Sequence, residues 1–146
     1  MSEKILIFRP FGPSIVKAKM PTEVMDSLNK YIDTTIKDEE KSKELDYGHK
    51  LAGNVNQEFR ISQEHAKTSG WLNFLGNVAQ GYVKQSIGQK ITKFKIIETW
   101  VVRQFSNEYN PTHWHSGHLS GVGYLKVPSS YGETKQKSKT VNLNGN

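Results

Sequence analysis

The spacing of hydrophobic positions changes several times along the chain, and each change marks a predicted element. Lys4 to Phe8 reads as a short strand, after which Pro10, Gly12 and Pro13 interrupt regular structure. Val24, Leu28, Tyr31, Ile32 and Ile36 recur at the spacing of one buried helical stripe, with Thr22 available as its cap and Pro21 just ahead. The run KDEEKSKE, Lys37 to Glu44, mixes both charges without an apolar period and reads as a surface loop or a solvated helix end. Gly48 and Gly53 bracket a transition into Asn54 to Ile61, where Val55, Phe59 and Ile61 suggest a strand of imperfect alternation. The clearest helix begins near Ser69: Trp71, Leu75, Val78 and Tyr82 form one stripe, flanked by Leu72, Ala79 and Val83. Gly76 and Gly81 inside it each cost about 1 kcal/mol relative to Ala, so close packing against a neighbouring element is expected there. Gly88 ends the pattern.

Lys93 to Phe105 and Leu119 to Val127 are rich in β-branched and aromatic residues, which predicts two strands. Between them, Ser106 to Gly117 is turn-rich, with Asn107, Asn110, Pro111 and Gly117 breaking any period. After Pro128 the composition turns polar, and Thr140 to Leu143 is the last candidate strand. No internal repeat is visible.

Composition narrows the classes that fit this pattern. A chain of 146 residues, 35% hydrophobic, with three Trp, six Tyr and six Phe, can build one core and is not a disordered polypeptide. No stretch approaches the roughly 18 consecutive apolar residues of a membrane-spanning helix. The amino terminus lacks the long apolar run and small-residue cleavage site of a secretory signal, so a cytoplasmic location is expected. The absence of cysteine excludes disulfides and thiolate ligands, and leaves imidazole, carboxylate and water to hold any metal. The formal net charge of +6 favours anionic partners, but Lys and Arg are spread over the whole chain. The densest set, Lys135, Lys137 and Lys139, has no interleaved aromatic residue, which favours a solvated tail over a nucleic-acid interface.

Chemistry concentrates elsewhere, in the histidines. His113, His115 and His118 fall within six residues. In an extended segment, residues two apart project to the same face, so His113 and His115 would present both imidazoles to one point with Trp114 turned away. Neutral imidazole suits iron, zinc, copper and nickel, and two ligands on one segment leave room for a third from elsewhere. The competing reading is a set of surface histidines in a polar loop, with Trp114 supplying a buried contact.

Read as one string, EYNPTHWHSGHLSGVGYLKVP resembles the small phage and bacterial branch of the 2-oxoglutarate- and iron(II)-dependent oxygenases. Trp100, Asn110, Pro111, His113, His115, Ser120, Gly121, Val122, Tyr124, Leu125 and Pro128 match that branch in order, and a weaker resemblance extends upstream through most of the chain. What the resemblance implies is an α+β chain forming a double-stranded β-helix, or jelly roll, with amino-terminal helices packed on it. The single domain, 1–146, would comprise an α/β part over 1–90, the start of the β-helix over 91–128, and a polar tail or incomplete strand over 129–146. The implied cofactor is Fe(II), with 2-oxoglutarate as cosubstrate. His113 resembles the first metal ligand. His115 stands where the wider superfamily usually has Asp or Glu, and a neutral ligand there leaves the metal one unit more positive. His118 would replace His115 if the loop curls after Ser116 and Gly117, or would orient a bound water or substrate. Tyr124 resembles the tyrosine that donates a hydrogen bond to the distal carboxylate of 2-oxoglutarate, its alternative being a core tyrosine, and Tyr109 is a weaker candidate for the same contact. Trp100 and Trp114 are expected to pack.

Two parts of such a site are not found in the sequence. No histidine follows His118, and no arginine follows Arg103, so a third histidine ligand and an arginine clamp for the cosubstrate cannot be assigned. The resemblance therefore implies either the amino-terminal portion of a longer oxygenase or a short protein that has lost catalysis or completes its barrel through another chain. Exposed barrel edges predict self-association. A phage-encoded protein would work in the host cytoplasm, on a small-molecule or protein substrate that no motif records. A rival of another class is a non-catalytic module binding a metal or an anionic polymer.

Overall fold

The computed structural model describes residues 5–9, 11–50 and 52–129. Its first unit is a short antiparallel hairpin of β1 (Leu6–Phe8) and β2 (Ile15–Lys17), in which Ile7 faces Val16. The Pro-rich segment between them is the connection of the pair.

Helix α1 (Thr22–Lys37) buries Val24, Leu28 and Ile32 of the expected stripe, leaves Tyr31 and Ile36 half-buried, and buries Thr35, which the stripe did not include. Thr22 is its first helical residue rather than its cap: Pro21 holds the cap position without a side-chain hydrogen bond, and its carbonyl accepts the Met25 N–H at 3.1 Å. The charged run that follows forms a helix of its own, α2 (Glu39–Leu45), because Asp38 stops α1 in an extended conformation and its Oδ1 accepts the Lys41 N–H at 3.0 Å. Asp38→Ala is expected to lower stability by about 1 kcal/mol. Lys43→Ala, which removes an exposed pair with Glu39, should cost less than about 0.5 kcal/mol. Urea unfolding of the two variants beside the parent checks the order.

A 3-10 turn at Gly48–Lys50 leads to β3 (Gln57–Arg60), then α3 (Gln63–Thr68), capped by Ser62, and α4 (Trp71–Ile87). Gly88, with φ +69°, ends α4 in the left-handed conformation that a residue with a Cβ adopts at a cost. A Cβ at Gly81 would lie 2.7 Å from the terminal methyl of Ile5, and one at Gly76 would lie 3.5 Å from the Phe94 ring, so both glycines face close neighbours. Tyr82 and Arg9 tie the hairpin to this helix: the Tyr82 hydroxyl donates to the Ser14 carbonyl at 2.9 Å and Arg9 donates to the Ser86 carbonyl at 2.9 Å.

Of the segment 93–105, residues Trp100–Arg103 form β4, antiparallel to β3 with Glu58 opposite Val102 and Arg60 opposite Trp100. The molecule is thus α+β, with two small two-stranded antiparallel sheets among the described residues. The strand expected over Leu119–Val127 does not form. That segment is held by side chains instead, since no ladder partner lies beside it among the described residues: Leu125 packs on the core and Lys126 pairs with Asp33 at 3.1 Å. The core itself joins Val24 and Leu28 of α1, Ile61 and Ala66, with Met20, Tyr31, Trp71, Val101 and Leu125 around them. The parts 1–90 and 91–128 therefore share one sheet and one core. The candidate strand Thr140–Leu143 and the lysines at 135, 137 and 139 lie outside the described residues. No helix among the described residues is long and apolar enough to cross a membrane.

Candidate metal centre

The histidine segment is launched from β4 by a turn that Glu108 organises. One Glu108 carboxylate oxygen accepts the Phe105 N–H at 2.8 Å, and the other accepts the Asn56 backbone N–H at 3.1 Å and its side-chain amide at 2.7 Å. Asn107 takes φ 67° within this turn, a conformation its short polar side chain tolerates. Tyr109 then pairs with Asn54 in an isolated antiparallel bridge, its carbonyl accepting the Asn54 N–H at 2.8 Å. These contacts fix the chain up to Asn110. Pro111 follows, and its carbonyl sits 2.7 Å from His113 Nδ1.

From this base the two imidazoles converge. His113 Nε2 and His115 Nε2 are 3.0 Å apart, with ring centroids 4.6 Å apart and planes at 88°. The Pro111 carbonyl can accept but not donate, so His113 carries its proton on Nδ1 and turns the Nε2 lone pair toward His115. Without a metal, the His115 Nε2–H donates into that lone pair. With His115 in its other tautomer, both lone pairs face the same space. Two nitrogens each about 2.1 Å from one metal and at a right angle to each other are separated by about 3.0 Å. The observed separation is that of a hydrogen bond between the two rings, and two ligands at adjacent positions of a metal would show the same separation. His115 also lies against Trp100, ring centroids 5.6 Å apart, and Trp100 in turn packs on Tyr47 at 5.8 Å.

The other expected site residues are placed differently. Tyr109 is 58% exposed and its ring makes no contact with either histidine. Tyr124 is 61% exposed, between Gly123, beside Met20 and Trp71, and Leu125, packed on the core. The strand expected to carry it does not form, and its exposure does not fit the alternative of a core tyrosine. His118 is exposed and has neither a hydrogen bond nor a ring contact with the pair. Trp100 packs as expected. Trp114, expected to pack, is 86% exposed, because nothing among the described residues covers that face of the segment. Among the described residues no group of three His, Cys, Asp or Glu side chains is assembled.

A second cluster was not legible in the sequence. Glu58 is buried, 1% exposed, and neither of its carboxylate oxygens has a hydrogen-bond partner among the described residues. Burial, and after it the neighbouring Asp46 and Glu108 charges, push its carboxyl above the ordinary glutamate range. Strand alternation places Glu58 on the polar face, opposite in parity to Val55, Phe59 and Ile61. On that face the Tyr47 ring lies beside Trp100 and the Arg60 guanidinium, while the Tyr47 N–H pairs with the strand edge, donating to the Glu58 carbonyl at 2.8 Å. An acidic residue within the strand was the signal available, and alternation assigned it to water.

Comparison of the chain with protein-family models, with curated proteins and with solved structures gives no match in any of the three.

Proposed function

We propose that this protein is an iron(II)- and 2-oxoglutarate-dependent oxygenase of the hydroxylase type, with His113 and His115 as metal ligands. The observation that carries the reading is the convergence of the two Nε2 atoms, 3.0 Å apart, on a histidine whose tautomer a backbone carbonyl sets. A backbone carbonyl that accepts the other ring N–H is what orients a metal-binding imidazole and raises its basicity. When bound, iron(II) with 2-oxoglutarate supplies oxygen activation, coupling oxidative decarboxylation of the cosubstrate to hydroxylation of a substrate C–H bond.

The chain's own residues have narrower tasks. His113 presents its Nε2 lone pair, and His115 does the same once its proton sits on Nδ1. Trp100 supports the His115 ring from behind. The Tyr124 hydroxyl donates a hydrogen bond to a cosubstrate carboxylate, with Tyr109 as the alternative donor. Two histidines leave the remaining metal positions to water, to a further ligand and to the cosubstrate.

The test is anaerobic addition of iron(II) and 2-oxoglutarate. A visible charge-transfer band is expected, lost in His113→Ala and in His115→Ala. Tyr124→Phe should retain the band and weaken 2-oxoglutarate about tenfold or more, the effect of removing a hydrogen bond to a charged group. A band that survives both histidine changes, or its absence from the parent, overturns the oxygenase reading. Iron(II) binding that depends on both histidines but gives no band with 2-oxoglutarate would instead mark a non-catalytic metal module.

A further inference from the structure

Apart from the histidine pair, the molecule holds a buried carboxylate, Glu58, that has no counterion among the described residues. We infer that Glu58 and Asp46 form a second cation site, separate from the histidines, that takes a hard divalent ion such as Ca²⁺ or Mg²⁺ through carboxylate and water oxygens.

The geometry begins at Gly48. A Cβ placed on this residue would lie 3.4 Å from Asp46 Oδ1 and 3.4 Å from Glu58 Oε2, so one oxygen of each carboxylate flanks the position that a Cβ would take. Asp46 is exposed and meets solvent, whereas Glu58, 1% exposed, lies behind it. Asp46 Oδ1 accepts the Gly48 N–H at 3.1 Å, which orients that carboxylate, while both Glu58 oxygens lack a partner among the described residues. A buried acceptor left without any donor is costly, and a bound cation removes that cost.

Local protein cations do not serve it. Arg60, two residues along the same strand face, lies over the Tyr47 ring with its guanidinium carbon 5.8 Å from the centroid, and Lys50 lies over the same ring at 5.2 Å. Neither forms an ion pair among the described residues. Glu108 adds negative potential, but its oxygens are already taken by Asn56 and Phe105. An oxygen-only site of one or two carboxylates completed by water suits Mg²⁺ well and Ca²⁺ with additional waters, and it discriminates against the softer metals that imidazole prefers.

The test uses Tb³⁺ as a luminescent substitute for Ca²⁺, read in the full chain carrying both His113→Ala and His115→Ala, so that the histidine pair is silent. Tyr47, next to Asp46, and Trp100 beyond it supply sensitising rings. Sensitised emission that Ca²⁺ or Mg²⁺ displaces is expected. Glu58→Gln should weaken Tb³⁺ at least about tenfold; so should Gly48→Ala, whose methyl would stand in ordinary contact with one oxygen of each carboxylate and take the place of an ion between them. Circular dichroism verifies that each variant is folded. Should Glu58→Gln not fold, Gly48→Ala and the exposed Asp46→Asn decide the matter. Emission that is absent, or that is unchanged in the folded variants, overturns the inference, and does so whatever becomes of the histidine reading.

Discussion

Leu28→Ala is expected to lower the unfolding free energy by about 2 to 5 kcal/mol, the range for deleting a well-packed leucine side chain. Leu28 is 2% exposed and sits in the buried cluster with Val24, Ile61 and Ala66. The site draws walls from α1, from the segment after β3 and from the chain around Leu125, so no single neighbour can close the cavity by a small shift. The change has a second consequence. Leu125 anchors the segment that carries Tyr124, and Lys126 reaches Asp33 on the same helix, so loosening this cluster also frees that segment. Val122→Ala is the matched control: Val122 lies in the same segment but is 79% exposed, and its loss should fall within about 0.5 kcal/mol of the parent. Urea unfolding of the three proteins at one pH checks both values. A Val122 effect as large as that of Leu28 would mean that the segment is buried in solution against a surface the described residues do not include.

The second large effect is a pH dependence centred on His65. Its ring stacks on Tyr31 with centroids 4.1 Å apart, and burial holds its pKa below the ordinary imidazole range. The nearby Lys41 charge acts in the same direction, and a backbone hydrogen bond at Ser27 opposes them. In the unfolded chain the imidazole titrates near about pH 6.5. As the pH falls below that value the unfolded state takes up a proton that the folded state refuses, so stability is full above it and declines until the folded pKa is reached. The slope contributed by one such proton is at most about 1.4 kcal/mol per pH unit. His65→Phe keeps a ring against Tyr31 and removes the proton. The difference between parent and variant in urea unfolding should therefore change between pH 7 and pH 5, with the parent losing more. Groups that titrate alike in both proteins, Glu58 among them, cancel in that difference. A constant difference over this range would show that the His65 ring is as well hydrated folded as unfolded.

Much of the helical frame could be read directly. The stripe from Val24 to Ile36 and that from Trp71 to Val83 are set by a period that depends on backbone geometry alone, and α1 and α4 span them, although α4 buries Phe74 and Ala79 while Trp71, Leu75, Val78 and Tyr82 stay half-buried. Strands were read less well. Segment 93–105 has strand composition throughout, yet just Trp100–Arg103 is paired among the described residues, and Leu119–Val127 has no strand partner among them. A residue's preference for extended backbone is local, whereas a strand exists when another strand supplies hydrogen-bond partners. Helix α3 and strand β2 were missed for a related reason: at six and three residues they are too short for a period to register.

The site divides along the same line. Residues two apart in an extended stretch are within reach of each other whatever the rest of the fold does, so the approach of His113 to His115 was available from their spacing. Which nitrogen of His113 bears the proton depends on where the Pro111 carbonyl points, and the support behind His115 depends on Trp100, fifteen residues earlier in the chain, being brought beside it. Glu58 is the extreme case. Alternation along β3 is local and puts its carboxylate toward water; the segment around Tyr47, laid over that face by long-range packing, takes the water away. Periodicity and short-range spacing are properties of the covalent chain, and the sequence determined them by itself. Burial, partnership and the identity of covering groups arise when distant segments meet, and those were decided by the tertiary structure.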